Sequence, residues 1–236
     1  MRKPDWDAKQ HHHHPPPDSP EGLAISGTAS SGAAHTGVLK IANPSVVRRV
    51  LAWLTGWGNT NWSRVVMERA QRTLLAEIKA STRGTLEISG QNWADYGFAS
   101  YRTVKYPEFD ICASTLPERY DLIIADQIWE HLLWPYRATK HVLEMLAPGG
   151  YFMVSVPFLV RVHGYPIDCS RWTELGLRHL LAECGFELEQ IQTGSWGNRG
   201  SVRASFRSWR SYVPWLHSLK NEKHFPQVVW ALARKP

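Results

Sequence analysis

Residues 120–129 read YDLIIADQIW, and the unbroken run Leu122, Ile123, Ile124, Ala125 constrains the fold more than any other feature. Successive side chains of a strand point to opposite faces, so four apolar residues in a row need cover on both sides. An inner strand of a sheet lined by helices on both faces meets that need. The neighbouring segments agree. TLEIS (85–89), YRTVKY (101–106), YFMVSVPF (151–158), ELEQIQTG (187–194) and PQVVWALARKP (226–236) all have strand composition. Between them, Pro135 to Leu146 is spaced as a helix closed by the turn APGG. A further helix starts after Thr173, a good N-cap, and stops at Gly185. Strands alternating with helices predict an α/β protein with a parallel, doubly wound sheet.

Upstream, PSVVRRVLAWLTGW (44–57) and NWSRVVMERAQRTLLAEIKA (61–80) are spaced like amphipathic helices, with Asn61 as N-cap of the second. Residues 1–36 are rich in Pro, Gly, Ser and Ala without apolar periodicity, which predicts a disordered low-complexity tail. Its HHHH run at 11–14 is a metal binder by chemistry and a solvated tract by context. The expected organisation is one domain over 37–236, with N-terminal helices (37–82) and an α/β core (85–236). No stretch approaches the roughly 18 apolar residues of a membrane span, and no apolar segment follows Arg2 and Lys3, so a cytoplasmic protein is expected. Three cysteines without metal-ligand spacing, Cys112, Cys169 and Cys184, suit reduced thiols.

The stretch TLEISGQNWADYGF (85–98) carries an acidic residue and one glycine where a nucleotide-binding α/β fold turns from its first strand. Dinucleotides bring a pyrophosphate, which demands close backbone approach at several glycines. With only Gly90 at that turn, NAD is disfavoured.

Four segments in order resemble the class I S-adenosylmethionine-dependent methyltransferases, over roughly residues 85–236. TLEISG sits where that family has its first strand and acidic-x-Gly loop, with Ser89 at the usual first glycine. YDLIIADQIWEHL is similar to its fourth strand and the following LEHL. LAPGGYFMVSVP resembles its LKPGG turn and fifth strand, and LRHLLAECGFELEQIQ the next helix and strand. The resemblance implies a Rossmann-like class I methyltransferase sheet and S-adenosylmethionine as cofactor. That molecule has no phosphate, so one tight turn suffices. By carry-over, Glu87 serves the methionine ammonium, directly or through water, and Ser89 and Gly90 line the turn. Gln91, Asn92 and Trp93 depart from the family pattern. The ribose acid is expected after the second strand, where KYPEFDIC offers Glu108, the preferred candidate, and Asp110. Asp126 and Gln127, just past the third strand here, face the crevice where such sheets bind ligands. The resemblance leaves His131, in WEHL, to local packing.

The acceptor side is expected in VPFLVRVHGYPIDCSRWTELG (156–176), a long polar loop at a strand's carboxyl end. It offers His163, Tyr165, Asp168, Arg171 and Trp172 together. A hydroxyl nucleophile must lose a proton, and histidine titrates near neutrality, so His163 is the candidate base, with Asp168 orienting it or holding substrate. The bland alternative is that His163 pins the loop and Asp168 pairs with Arg171. Trp172, Trp196 and Tyr165 suit stacking on a sugar, with Asn198 and Arg199 as secondary candidates. The His-Gly-x-Pro-x-Asp loop and the LEISGQNWADYGF start look most like a mycobacterial mannoside methyltransferase type, which caps the anomeric 1-hydroxyl of short 3-O-methylated mannosides in methylmannose polysaccharide assembly. A small saccharide acceptor follows from that resemblance. Magnesium at Asp126 and the loop is compatible with it, though no ligand spacing demands a metal.

The net charge is +6, with much of the basic excess from Arg199 onward among Trp, Tyr and Phe. RNA or lipid acceptors are therefore rivals, although no added nucleic-acid-binding domain is evident. A non-catalytic binding module on the same fold is another rival. The oligomeric state, including a homo-oligomer, is left open.

Overall fold

The computed structural model describes residues 60–164 and 166–236. The tail over 1–36, the helix expected at 44–57 and Tyr165 lie outside the described residues. The ordered elements are α1 (Trp62–Glu77), β1 (Gly84–Ile88), β2 (Ser100–Val104), β3 (Tyr120–Asp126), α2 (Pro135–Met145), β4 (Leu146–Pro157), α3 (Glu174–Glu183), β5 (Ile191–Trp196), α4 (Arg199–Ser205) and β6 (Val228–Arg234). They build one six-stranded sheet in the order β2-β1-β3-β4-β6-β5. This is the doubly wound, Rossmann-like α/β arrangement that the alternation of segments predicts.

Both faces of the sheet are covered, which explains the unbroken apolar run in β3. Ile123 and Ala125 pack with Phe152, Val154, Ala231 and Ala233 against α2 and α3. Leu122 and Ile124 pack with Met153, Leu232 and Leu75 of α1 on the opposite face. Each Leu, Ile, Val, Met or Phe among them, taken fully out of water, contributes about 1.5–3 kcal/mol. Asn61 caps α1 as expected, its side chain accepting from Ser63 N, and Thr173 caps α3 by accepting from Gly176 N. Gly185 takes φ +114°, a conformation that L side chains rarely adopt, and so ends that helix.

Three features differ from expectation. First, the sheet is mixed: β6 runs antiparallel to both β4 and β5. The reason lies in the connection. Residues 197–227 leave and return at the same end of the sheet, where Gln227 N donates to Trp196 O at 2.8 Å, so the last strand must run back. Second, the stretch that carries the secondary candidates Asn198 and Arg199, GSWGNRGS (194–201), ends β5 and starts a helix. Asn198 and Ser201 form a capping box that starts α4, and Asn198 is buried, with its amide donating to Ser218 O and Lys220 O. Third, the strand expected at 187 begins only at Ile191, after a short 3-10 turn.

Gly197 is the tightest point of the returning connection. A Cβ there would stand 2.1 Å from Phe225 O and 2.4 Å from Gln227 N, both backbone atoms, the second held by its bond to Trp196 O. Gly197→Ala is therefore expected to destabilise the protein by about 2–3 kcal/mol, as overpacking does. A thermal melt would read this as a Tm lower by about 5–10 °C. An unchanged Tm would show that the connection yields freely.

Candidate functional site

The strand order reverses between β1 and β3, because the chain runs out to β2 and then crosses back to the other side of β1. The carboxyl ends of β1 and β3 therefore flank the crevice where open α/β sheets bind ligands. Ser89 has φ +57° and Gln127 φ +60°, so each strand leaves the sheet through a sharp left-handed turn. Gly90 is required at its place, since a Cβ would come within 2.2 Å of Glu87 Oε1.

Glu87 is fully buried, and its carboxylate is directed into its own loop. Oε1 accepts from Asn92 N at 3.0 Å, and Oε2 accepts from Trp93 N at 3.1 Å and Tyr101 OH at 2.7 Å. Burial and the bond to Glu87 both raise the pKa of Tyr101. The departing residues Asn92 and Trp93 thus have a physical role: their amides satisfy the oxygens of a buried acid. Asp126, at the end of β3, is also buried and accepts from Ser155 Oγ, from Arg64 at 3.3 Å and from Asn92 Nδ2 at 3.2 Å. Three donors, one of them a guanidinium, are not a magnesium ligand set, and the Asp126 position gives magnesium no support.

Glu108 is exposed, four residues beyond β2, whose last residue Val104 pairs with Ile88. Asp110 is occupied locally, accepting from Cys112 N at 2.8 Å.

Beside the crevice lies a cavity of about 310 Å³ over the ends of β3 and β4 and the start of β6. Gln127, Arg64, Glu130, His131, His163 and Trp209 are among its lining residues. The long polar loop is latched to the 3-10 turn Trp129–His131: Cys169 N donates to Glu130 O at 2.7 Å, and His131 Nδ1 donates to Ile167 O at 2.5 Å. This brings His163 and His131 together, ring centroids 5.2 Å apart, with Trp209 edge-on to His163 at 5.6 Å.

Asp168 ties His163 to Arg171. It accepts from His163 N at 2.8 Å, faces His163 Nδ1 at 3.2 Å and forms a two-pronged pair with the Arg171 guanidinium. The bond from Arg171, helped by the His163 amide, holds the Asp168 carboxyl down at about 2. Glu130 shows the opposite behaviour. It is 1% exposed, burial pushes its carboxyl up to about 8, and Oε2 has no hydrogen-bond partner among the described residues.

The other sugar-side candidates are elsewhere. Trp172 is half-buried against the core formed by α2, α3 and the sheet. Trp196 is 1% exposed, its indole N–H donating to Leu219 O, and packs with Trp62, Val228 and Trp230. Arg199 pairs with Glu222 at 2.7 Å on the surface. None of these three lines the cavity. Conversely, Arg64, Glu130 and Trp209 were not singled out from the sequence, and His131 was left to local packing. Arg64 sits near the start of an ordinary amphipathic helix, which carries no sign that it reaches Asp126 62 residues away. For Glu130 and His131 the sequence did hold a signal, in that two chemistry-bearing residues stand together just beyond a strand end.

No family model matches the chain, and no curated protein matches it. Solved structures with a similar course include an S-adenosylmethionine-dependent methyltransferase from Mesorhizobium loti, at 15% identity and TM-score 0.49, covering 71% of this chain and 96% of that one. The N-methyltransferase NodS from Bradyrhizobium japonicum, in complex with S-adenosylhomocysteine, is similar at 15% identity and TM-score 0.44, covering 81% and 97%. A methyltransferase from Archaeoglobus fulgidus is similar at 12% identity and TM-score 0.45, covering 71% and 94%. The overlaps are loose, so the fold assignment stands on this chain's own strand order and register.

Proposed function

We propose that this protein is a class I methyltransferase that moves a methyl group from S-adenosylmethionine to a hydroxyl of a small saccharide. The observation that carries the reading is the adjacency of two features. A charged turn at the β1–β3 crevice opens beside a cavity lined by paired imidazoles. The residues of the crevice suit the cofactor. Its methionine end is a zwitterion, which Asp126 and Arg64 complement in charge, while Glu87 shapes the Ser89–Gly90 turn from behind. The deep burial of Glu87 favours that positioning role over direct contact. Glu108 is free to accept from the ribose hydroxyls, whereas Asp110 is committed to its own turn.

Bound S-adenosylmethionine supplies a methyl carbon already activated by its sulfonium. The chain's own residues then have to position the acceptor and remove its proton. The acceptor oxygen attacks the methyl carbon in line as the carbon–sulfur bond breaks. His163 takes the hydroxyl proton on the ring nitrogen turned away from Asp168, and Asp168, held ionised by Arg171, stabilises the imidazolium. Trp209 offers an aromatic face to a pyranose ring, and Gln127 lies at hand for its hydroxyls. A cavity of about 310 Å³ suits one sugar unit more than a long chain. The 1-hydroxyl of a short 3-O-methylated mannoside is the first acceptor to screen.

A lipid-carried acceptor is the second reading. Phe206 and Leu216 are each 62% exposed in the Arg-rich segment that also carries Trp209, so an apolar, basic surface adjoins the cavity. Among the described residues, no helix is long and apolar enough to cross a membrane.

Calorimetric titration with S-adenosylhomocysteine, with NAD as control, tests the core of the proposal. Binding of the former in the micromolar range, and none of NAD, is expected. Binding of neither would sink the methyl-transfer reading in favour of a non-catalytic module.

A further inference from the structure

The Glu130–His131–His163 cluster has more unsatisfied bonding capacity than a proton relay explains. His131 Nδ1 faces a carbonyl oxygen, which can only accept, so that nitrogen bears a proton and, in the neutral ring, the lone pair is on Nε2. That lone pair stands 3.6 Å from Glu130 Oε1, too far for a hydrogen bond. Two ligands of one tetrahedral ion, with bonds of about 2.0–2.2 Å, stand about 3.3–3.6 Å apart. Potential ligand atoms of Glu130, His131 and His163 all lie within 4.8 Å of one another.

Two further observations point to an ion. Glu130, 1% exposed and lining the cavity, leaves Oε2 without a partner among the described residues, and a buried carboxyl oxygen so placed is satisfied by ligating a cation. Both histidines also have the outer support typical of metal ligands. The carbonyl of Ile167 fixes one ring, and the carboxylate of Asp168 faces Nδ1 of the other at 3.2 Å. Such partners fix the tautomer and raise the basicity of the opposite nitrogen.

We propose that Glu130, His131 and His163 bind one divalent transition-metal ion of the zinc class. Two imidazoles and one carboxylate favour such an ion over magnesium, which takes oxygen ligands and water. Three protein ligands at the wall of a cavity leave a coordination position open, the arrangement used to polarise a substrate oxygen. Ion binding stands apart from the methyl-transfer reading; its use in presenting an acceptor hydroxyl rests on that reading. Ligation and general-base action are alternative uses of one His163 lone pair, so occupancy decides which role that residue plays.

The test must silence the tract His11–His14, whose four imidazoles are themselves candidate ligands for such ions. The full-length chain with those four residues changed to serine is stripped with chelator and titrated with Zn2+ by calorimetry, and with Co2+ by visible absorption. The expected result is one equivalent of Zn2+, with Co2+ bands of the strength of four- or five-coordinate sites. In that background, Glu130→Gln and His163→Ala should each weaken binding by about 100-fold or more, exceeding the 10–100-fold of outer partners. S-adenosylhomocysteine affinity and the thermal melt serve as the fold controls. Absence of a stoichiometric site, or a site that survives both substitutions, would overturn the proposal. Zn2+ binding without S-adenosylhomocysteine binding would uphold the ion and sink the methyl-transfer reading. The reverse pattern would do the opposite.

Discussion

His163→Ala is expected to lower turnover by about 100-fold or more, the usual cost of losing a general base, while S-adenosylhomocysteine affinity stays within about twofold. The expectation follows from position. His163 lines the cavity, and its other contacts run to Asp168, His131, Trp209 and the Arg161 carbonyl, away from the Glu87 and Asp126 groups of the crevice. Removing the ring therefore takes a proton acceptor, or an ion ligand, from the acceptor side alone. The loop itself should survive, because its latches are the Glu130 carbonyl, the Ile167 carbonyl and the Asp168–Arg171 pair. Single-turnover assays with a methyl-accepting sugar, read beside calorimetric cofactor titration, separate the two effects. Turnover at the wild-type rate would remove His163 from the chemistry. Equal losses in both readouts would instead mean that the loop had shifted.

Gly90→Ala should produce the complementary defect, about 30–150-fold weaker S-adenosylhomocysteine binding. The new Cβ would meet Glu87 Oε1 at 2.2 Å, and that carboxylate has nowhere to retreat. It is fully buried and held by the amides of Asn92 and Trp93 and by the Tyr101 hydroxyl. Relief of the overlap breaks at least one bond to a charged group, about 1.5–3 kcal/mol each, and loosens the turn that faces the cofactor. Of that cost, about 2–3 kcal/mol appearing in cofactor affinity corresponds to the stated range. Tyr101→Phe, which removes one donor and adds no bulk, should show a smaller loss in the same direction. Unchanged affinity in the alanine variant would mean that the turn is not part of the cofactor site.

The zinc titration and the two variants probe different sides of the same crevice, so their outcomes combine. A protein that binds S-adenosylhomocysteine, loses it with Gly90→Ala, and keeps it while losing turnover with His163→Ala would fit a methyltransferase with separate donor and acceptor walls. Fold likeness cannot decide this, because one α/β scaffold serves many reactions, and the choice rests on side chains at the strand ends.

What the sequence determined by itself was local. The period of apolar residues settled the strands, because a residue such as Ile123 reports in its own neighbourhood that both faces must be covered. Caps at Asn61 and Thr173 were legible for the same reason, as each satisfies backbone groups two or three residues away. The polar loop with His163, Asp168 and Arg171 was legible because its members are close in the chain. Tertiary structure alone decided the rest. The reversed β6 follows from where a 31-residue connection returns, a matter of closure that no periodicity records. The burial of Trp196 and the surface pairing of Arg199 follow from the packing of α4 and the segment after it. The meeting of Glu130 and His131 with His163, and of Arg64 with Asp126, joins residues more than thirty positions apart. Those contacts depend on which strand ends lie side by side, and only the folded sheet brings them together.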